Sequence, residues 1–333
     1  MPFTRVVFLS LLLAAGGVPS SGAQGGNSSN SIRGPALGFV FDRALGAPRR
    51  VAGLPGAAMV VEPVLDTAVS EIWVSPRGDY LLARLAADES IAFADLREGT
   101  TGGRPLGLTA AVDRVALSPT GASAALFLRD DRVLRFVTGL PDAPALSPAI
   151  DVSSLPRSIR ELAVSDDGAV ALVGAQEREG TLYRISSDGS IRMLEPLGSP
   201  SGIALLPWTH DALVSDRWRS EILRIRDVAG AAERSRLAGE DEGIARPIAV
   251  RVSDDGRRAV VANAGSRSIT VLGLEDGQIV QLPCDSILVG LYPLGGGSLF
   301  ALNELGDGPL QVLDAAAREP RIVFVPPPSE AGR

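Results

Sequence analysis

Short apolar runs alternate with tight polar turns along most of this chain, and one turn phrase recurs. Each copy has an apolar residue, a serine, two variable residues and a glycine, and a second apolar run follows it. Clear copies lie at residues 74–78, 117–121, 164–168 and 252–256. Apolar runs this short, bounded by glycine turns that tolerate positive φ, predict β-strands joined by hairpins.

The spacing of the copies indicates a repeat architecture. A weaker copy at residues 206–211 divides the interval between Gly168 and Gly256, and a last copy lies at 292–297. A period of roughly 44 residues with one hairpin turn per unit is typical of four-stranded β-propeller blades. A β-sandwich, the alternative all-β fold, does not repeat one phrase at even spacing.

Each unit supplies further strands with distinct patterns. The second strand, for example residues 171–173, is apolar at every position, which predicts burial between neighbouring blades. The third strand alternates, as at residues 182–185 and 269–272, which predicts one more exposed face. The fourth strand is the least regular, as expected at the outer edge of a blade.

Residues before the first turn phrase decide the number of blades. Apolar runs at 37–42, 49–53 and 59–61 predict two or three more strands, which form either an incomplete seventh blade or an outer patch on a six-bladed ring. The last unit already has its own outer strand at 321–325. We therefore predict an all-β chain with a single β-propeller of four-stranded blades, seven blades being favoured over six.

The ends of the chain differ in composition from this repeat region. Arg5, an apolar stretch at 6–15 and the small residues Ser21-Gly22-Ala23 predict a cleaved signal peptide; the alternative is a retained anchor helix. The predicted organisation is a signal peptide at 1–23, a flexible leader at 24–34, the propeller at 35–326 and a disordered tail at 327–333. This organisation predicts a secreted or periplasmic protein without a membrane span after cleavage.

Composition limits the partners and the forces that hold the fold. The chain has 32 basic and 39 acidic residues, for a net charge of −7, and every basic residue is arginine. This balance, without a basic cluster, argues against nucleic acid or anionic membrane as the partner. Cys284 is the single cysteine, so it cannot form an intramolecular disulfide, and we interpret it as a small buried apolar residue. We expect a monomer held together by packing.

Two segments resemble known repeats of exported bacterial β-propellers. Residues 260–271, Val-Val-Ala-Asn-Ala-Gly-Ser-Arg-Ser-Ile-Thr-Val, resemble the YVTN repeat, and residues 200–204, 213–216 and 222–225 together are similar to an NHL unit. The resemblance covers residues 66–326 at the level of fold. Such repeats occur in lactonases, in binding modules and in proteins of unknown role, so the resemblance implies architecture only.

Catalytic chemistry has weak support in the sequence. A lactonase-like central metal would use carboxylates and asparagines, with Glu71, Glu161, Asp216, Asn263 and Asn303 as candidates by type. We favour their interpretation as loop residues and turn caps, because no spaced ligand motif joins them.

The single histidine adds little to a catalytic interpretation. His210 lies in the weakest turn copy, and the chain has no nucleophile-elbow motif to pair with it. We therefore predict no catalytic residue, no metal site and no cofactor.

Candidate binding residues lie in loops that should share one face around the central channel. These are the loops that enter each inner strand and those that join the second strand to the third. Trp218 stands between arginines in such a loop and is the best single candidate; alternatively, it covers a gap between blades. The predicted ligand-binding residues are Arg114, Arg160, Asp216, Arg217, Trp218, Arg219, Arg246 and Asn263.

These features favour one function and leave a second open. The first is an exported binding scaffold whose arginine-rich loop face recognises a protein or a small anionic ligand, since forked guanidinium groups suit carboxylates. The alternative is a lactonase-like, metal-dependent hydrolase.

Overall fold

The computed structural model describes residues 34–97, 102–108, 111–284, 287–296 and 298–328. The predicted signal peptide, the leader before Gly34 and the end of the predicted tail lie outside these residues. Within them the backbone forms 28 β-strands and one short 3-10 helix at Glu240–Glu242. In this part of the chain, no helix is long and apolar enough to span a membrane.

The strands form seven antiparallel sheets, and each sheet is built from consecutive strands. We call these sheets blades 1 to 7. Blade 1 has three strands, β1 (Ala36–Asp42), β2 (Ala47–Leu54) and β3 (Ala57–Pro63). Blade 2 has β4 (Val69–Val74), β5 (Tyr80–Leu85), β6 (Ile91–Asp95) and β7 (Arg104–Pro105). Blade 3 has β8 (Arg114–Leu117), β9 (Ala124–Leu128), β10 (Val133–Thr138) and a divided outer strand, β11 (Ala145–Leu146) and β12 (Ile150–Asp151).

The other four blades have four strands each. Blade 4 has β13 (Ile159–Val164), β14 (Val170–Gln176), β15 (Gly180–Ser186) and β16 (Ile191–Leu197). Blade 5 has β17 (Pro200–Leu205), β18 (Ala212–Asp216), β19 (Glu221–Arg226) and β20 (Glu233–Ala238). Blade 6 has β21 (Pro247–Val252), β22 (Arg258–Asn263), β23 (Ser268–Gly273) and β24 (Ile279–Pro283). Blade 7 has β25 (Tyr292–Pro293), β26 (Leu299–Ala301), β27 (Leu310–Asp314) and β28 (Arg321–Val325).

The apolar core lies between the blades. Each of seven clusters of buried apolar side chains joins two neighbouring blades, and one of them closes the ring by packing Leu37 and Val51 of blade 1 against Leu294 and Leu310 of blade 7. Radial packing of this kind defines a β-propeller and confirms the predicted all-β fold with seven blades. Cys284 is buried in the cluster between blades 6 and 7.

Burial within the blades agrees with the sequence pattern in the second strands but only partly in the third. Strands β9 and β18 are buried along their whole length, as predicted. The alternating third strand β23 was expected to expose one face, yet only its last residue is not buried. That expectation was wrong for blade 6, because side chains of blade 7 and the segment before β25 cover this strand.

The repeated phrase forms the turn between the first and second strands, at the end of the propeller that we call the turn face. The phrase serine is buried, and in blade 4 the hydroxyl of Ser165 accepts a hydrogen bond from the amide of Val170 (3.0 Å). The glycine has positive φ, +67° at Gly168, where a side chain is strained. In the weak copy of blade 5 the positive φ, +63°, falls on Trp208.

Hydrogen bonds join these turns around the ring. Asp166 Oδ1 accepts from the amide and the hydroxyl of Thr120 in blade 3, at 2.8 and 2.7 Å, and its Oδ2 accepts from the amide of Trp208 in blade 5 at 2.9 Å. Asp254 and Ser298 connect blades 6 and 7 in a similar way, through two amide hydrogen bonds. The variable positions of the phrase therefore stabilise contacts between blades.

The opposite end, which we call the loop face, carries the loops that enter the first strands and those that join second and third strands. Backbone hydrogen bonds connect the two loop types, for example from the amide of Gln176 to the carbonyl of Ser158 and from the amide of Arg217 to the carbonyl of Ser199, both 2.9 Å. The predicted binding loops therefore share one face.

Blade 1 differs from the others in the direction of its inner strand. The carbonyl of Gly46, in the β1–β2 turn, accepts a hydrogen bond from the amide of Val69, the first residue of β4 (2.7 Å). The β1–β2 turn therefore lies at the loop face, where the other blades turn from their second to their third strand. Strand β1 thus runs opposite to β4. In strand direction, the three strands of blade 1 correspond to the second, third and fourth strands of a complete blade, although β1 itself lines the central cavity.

Candidate functional site

The eight predicted binding residues lie in two separate regions of the loop face. Arg114 and Arg160 meet between blades 3 and 4. The others lie on blades 5 and 6, where the amide of Arg246 donates to the hydroxyl of Ser220 (3.2 Å). These others are Asp216, Arg217, Trp218, Arg219, Arg246 and Asn263.

Two of these predicted residues have their side chains inside the fold. Asp216 is fully buried and accepts hydrogen bonds from four backbone amides, those of Gly198, Ser199, Trp218 and Arg219. Asn263, at the equivalent position in blade 6, accepts from the amide of Ala245 (3.0 Å) and donates to Thr270 Oγ1 (2.9 Å). Both side chains therefore cap turns, the interpretation that the sequence favoured for residues of this type.

The turn capped by Asp216 presents the predicted aromatic residue. Trp218 is 64 % exposed, so most of its side chain is not buried between blades. Arg219 lies within 3.7 Å of Asp216 and within 3.8 Å of Glu221, so its charge is partly neutralised. Trp218 thus forms an exposed apolar surface on a rigid turn.

Arginines line a cleft of about 310 Å³ between blades 3 and 4. Its charged residues are Asp113, Arg114, Arg129, Arg157 and Arg160. Arg129 pairs with Asp113 at 2.5 Å, and Arg114 donates through Nε to the carbonyl of Ile159 at 2.9 Å. Among the described residues, the guanidinium groups of Arg157 and Arg160 have neither an ion pair nor a hydrogen bond. The cleft therefore carries excess positive charge.

Arg132 holds the loop that carries Arg157. Its guanidinium donates hydrogen bonds to the carbonyls of Val152, Leu155 and Pro156. A side chain from the β9–β10 connection of blade 3 therefore holds the loop before β13, and this positions Arg157 at the rim of the cleft. Arg157 is not among the predicted binding residues; its position in a loop that enters an inner strand is the sequence signal for it.

The inner strands surround a central cavity of about 570 Å³. In each of blades 2 to 7, the inner-strand residue two places before the phrase serine, or before the residue equivalent to that serine, lines the cavity. Blades 3, 4 and 5 place small side chains there, and blades 2, 6 and 7 place large ones. The small residues are Ala116, Ala163 and Ala204, and the large ones are Trp73, Arg251 and Tyr292.

Charged side chains gather at the loop-face end of this cavity. Arg43 pairs with Glu304 at 2.7 Å, and Glu71 pairs with Arg84 at 3.0 Å. Burial raises the pKa of Glu71, although the charges of Arg84, Arg114 and Arg43 oppose the shift. Burial also raises the pKa of Tyr292, and Glu304 and Glu71 add to that effect.

The residues considered for hydrolysis have local partners. His210 Nε2 lies 3.0 Å from Asp167 Oδ2 at the turn face, whereas Asn263 ends β22 of blade 6 at the loop face. Asn303 accepts from the amide of Gln311 (2.7 Å) and donates to the carbonyl of Pro309 (3.1 Å). Across the described ranges, no three His, Cys, Asp or Glu side chains form a group that could hold a metal ion.

Comparison with solved structures supports the propeller fold. The chain is similar to a functionally unknown protein from Desulfotomaculum acetoxidans, with a TM-score of 0.58, 12 % identity, and 87 % of this chain and 99 % of that chain covered. It is also similar to catalytically inactive virginiamycin B lyase from Staphylococcus aureus, solved with quinupristin (TM-score 0.54, 17 % identity, 80 % and 86 % covered). A third match is the β-propeller domain of Swd1 from Myceliophteria thermophila (TM-score 0.51, 14 % identity, 82 % and 94 % covered).

These likenesses agree with the seven sheets of this chain and define the class of protein as a seven-bladed β-propeller. At such low identity they show fold and not activity. No family model matches the chain, and no curated protein matches it. The resemblance to YVTN and NHL repeats therefore stays a prediction.

Proposed function

We propose that this protein is an exported binding scaffold that holds a small anionic ligand in the cleft between blades 3 and 4. The observation that carries the proposal is the imbalance of charge in that cleft, where four arginines face one aspartate. Guanidinium groups donate paired hydrogen bonds to carboxylate and phosphate oxygens, so an anion would complete this arrangement.

The arrangement of the four arginines supports recognition of a ligand. Arg114 and Arg129 are held by hydrogen bonds and by Asp113, whereas Arg157 and Arg160 project without a described partner. Preorganised donors lose less conformational entropy when a ligand binds. A volume of about 310 Å³ suits a small molecule better than a protein segment.

Two further points complete the proposal. Export rests on the signal-like segment at residues 1–23, which lies outside the described residues. The hydrolase alternative has less support, because Asp216 and Asn263 use their side-chain oxygens to accept backbone amides.

Calorimetric titration with inorganic phosphate and with citrate tests the cleft. We expect binding by the native protein and a loss of roughly tenfold or more in affinity in the double variant Arg157→Gln/Arg160→Gln. The matched control is Arg178→Gln/Arg192→Gln, which removes two exposed arginines of the same blade.

The control should bind as the native protein does. Equal weakening of both double variants would instead indicate non-specific attraction by net charge. If neither phosphate nor citrate binds the native protein, the cleft is rejected as an anion-binding site. Hydrolysis of a lactone that is abolished by Asn263→Ala or His210→Ala would favour the hydrolase.

A further inference from the structure

The wall of the central cavity contains one arginine, Arg251, that has no described carboxylate within ion-pair distance. Arg43 and Glu71, in the same wall, both have direct partners, Glu304 and Arg84. Arg251 has no described carboxylate within 4.0 Å, and its guanidinium donates only to the carbonyl of its neighbour Val250 (3.2 Å). A guanidinium group in an apolar wall is costly unless an anion compensates it.

The hydroxyl of Tyr292 lies in the same part of the cavity. Arg251, Arg43, Glu71 and Glu304 are all close enough to Tyr292 to influence its pKa. Within the described ranges this hydroxyl has no hydrogen-bond partner, so it is available as a second donor in the cavity that Arg251 also lines. Burial lowers the pKa of Arg251, and Glu161 opposes that shift by favouring the charged guanidinium.

Aliphatic side chains form part of the remaining wall and leave space for a ligand body. Ile72, Val115, Leu162 and Ile203 line the cavity. The alanines of blades 3, 4 and 5 leave room in their part of the wall, and Trp73 supplies an aromatic surface. A cavity of about 570 Å³ has the size of sites that enclose small organic molecules.

We propose that the central cavity binds a small carboxylic acid with an apolar body, whose carboxylate accepts hydrogen bonds from the Arg251 guanidinium and the Tyr292 hydroxyl. The carboxylate compensates the one cavity arginine without a direct acidic partner, and the apolar body contacts Trp73 and the aliphatic wall. This second site differs from the cleft between blades 3 and 4, which suits a polar anion. Arg114 lines both sites, whereas Arg157 and Arg160 line only the cleft.

The test compares 3-phenylpropanoate and 4-methylpentanoate with the corresponding alcohols, 3-phenylpropanol and 4-methylpentanol, by calorimetric titration of the native protein. We expect the acids to bind and the alcohols to bind roughly tenfold or more weakly. Alcohols that bind as tightly as the acids would overturn the proposal, as would the absence of binding by either acid. This comparison requires no variant and therefore does not depend on the folding of one.

Variants then assign the carboxylate contact. Arg251→Met keeps the length and removes the charge, and we expect a loss of roughly tenfold or more for the acids; Tyr292→Phe should cause a smaller loss. Unchanged affinity in Arg251→Met would overturn the assignment. The cleft variant Arg157→Gln/Arg160→Gln should bind the acids normally, so failure of one site is distinguishable from failure of the other.

Tryptophan fluorescence provides a reporter inside the cavity. The chain has three tryptophans, and Trp208 and Trp218 are exposed. In the double variant Trp208→Phe/Trp218→Phe only Trp73 remains, and its emission should change on addition of 3-phenylpropanoate. Calorimetric binding without any change at Trp73 would place the ligand elsewhere and contradict the proposal.

Discussion

Gly78 and Gly295, the turn glycines of blades 2 and 7, lie against each other at the turn face although blade 1 stands between their blades in the ring. A Cβ atom on Gly78 would overlap the carbonyl oxygen of Gly295. This contact exists because β1 runs in the reverse direction and contributes no hairpin turn to the turn face. The first and last complete blades therefore close the ring there by direct backbone contact.

Substitution of Gly78 should consequently destabilise the protein more than substitution of another turn glycine. Gly78→Ala combines positive φ with the overlap at Gly295, and we expect a loss of roughly 2–4 kcal/mol in the free energy of unfolding. Gly256→Ala is the matched control, because its φ of +71° is similar and a Cβ atom there would lie 3.5 Å from its nearest neighbour, Pro207. It should cost only about 1 kcal/mol. Equal losses in urea denaturation would show that the contact does not stabilise the ring.

The two ion pairs near the β1–β2 turn should differ in their effect on stability. The Arg49 and Asp42 side chains are 4 % and 9 % exposed, and Arg49 also donates to the carbonyl of Val61. Arg49→Ala leaves a buried carboxylate without its partner and should cost roughly 3–5 kcal/mol. Arg43→Ala breaks the exposed pair with Glu304 and should cost less than about 1 kcal/mol. Thermal and urea unfolding of both variants measure the difference, and equal costs would contradict the buried role of Arg49.

Trp218 and Trp73 should respond differently to truncation. Trp218 is 64 % exposed, so Trp218→Ala should change the free energy of unfolding by no more than about 0.5 kcal/mol. Trp73 packs in the cavity wall, with the guanidinium of Arg84 over its ring at 5.4 Å, and Trp73→Ala should cost roughly 3 kcal/mol. A large loss of stability in Trp218→Ala would mean that this side chain packs between blades.

Stability should decrease in acid through the turn carboxylates. Partial burial would raise the pKa of Asp167, but hydrogen bonds from Ser165 and Ala169 and the nearby His210 outweigh it, so the pKa lies below its usual value of 3.8. A carboxyl with a lowered pKa in the folded state contributes stability that is fully present above its unfolded pKa and is lost as the pH falls through the folded value. The loss should therefore occur below about pH 4.

Urea denaturation between pH 5 and pH 3 (about the range where unfolded aspartates titrate) measures this loss. Asp255 has the same turn geometry and its pKa is lowered for similar reasons. The variant Asp167→Asn/Asp255→Asn should lose less stability across this range than the native protein does. Asp130→Asn, at an exposed loop position, serves as the control, and an unchanged pH profile in the double variant would reject the turn carboxylates as the cause.

Export is tested by the N-terminus of the mature protein. If residues 1–23 form a cleaved signal peptide, the protein recovered outside the cytoplasm should begin at Gln24, because the small residues at 21–23 suit a signal peptidase. N-terminal sequencing of that fraction provides the measurement. Recovery of the chain with Met1 retained, in the membrane fraction, would favour the anchor helix instead.

Much of the fold could be predicted from the sequence, because the patterns that determine the strands and turns are local. Apolar runs, turn glycines such as Gly168 and a constant repeat length report backbone conformation over a few residues, and six of the seven sheets follow from six such units. The apolar run at 37–42 correctly predicted a strand, but its reversed direction depends on which neighbours close the ring. The burial of β23 likewise depends on side chains contributed by the next blade.

The sites were decided by tertiary structure. Arg114 and Arg157 are distant in the sequence and meet only because consecutive blades are adjacent in the ring. Asp216 is of a residue type that often binds ligands. Its buried carboxylate instead accepts hydrogen bonds from four backbone amides, which only the folded turn brings together. Aligning the repeats shows that Arg251 occupies the position of an alanine in three other blades. The cavity that Arg251 lines, however, forms only when seven blades surround one axis. Local backbone preferences are encoded residue by residue, whereas the partners of a charge depend on long-range packing.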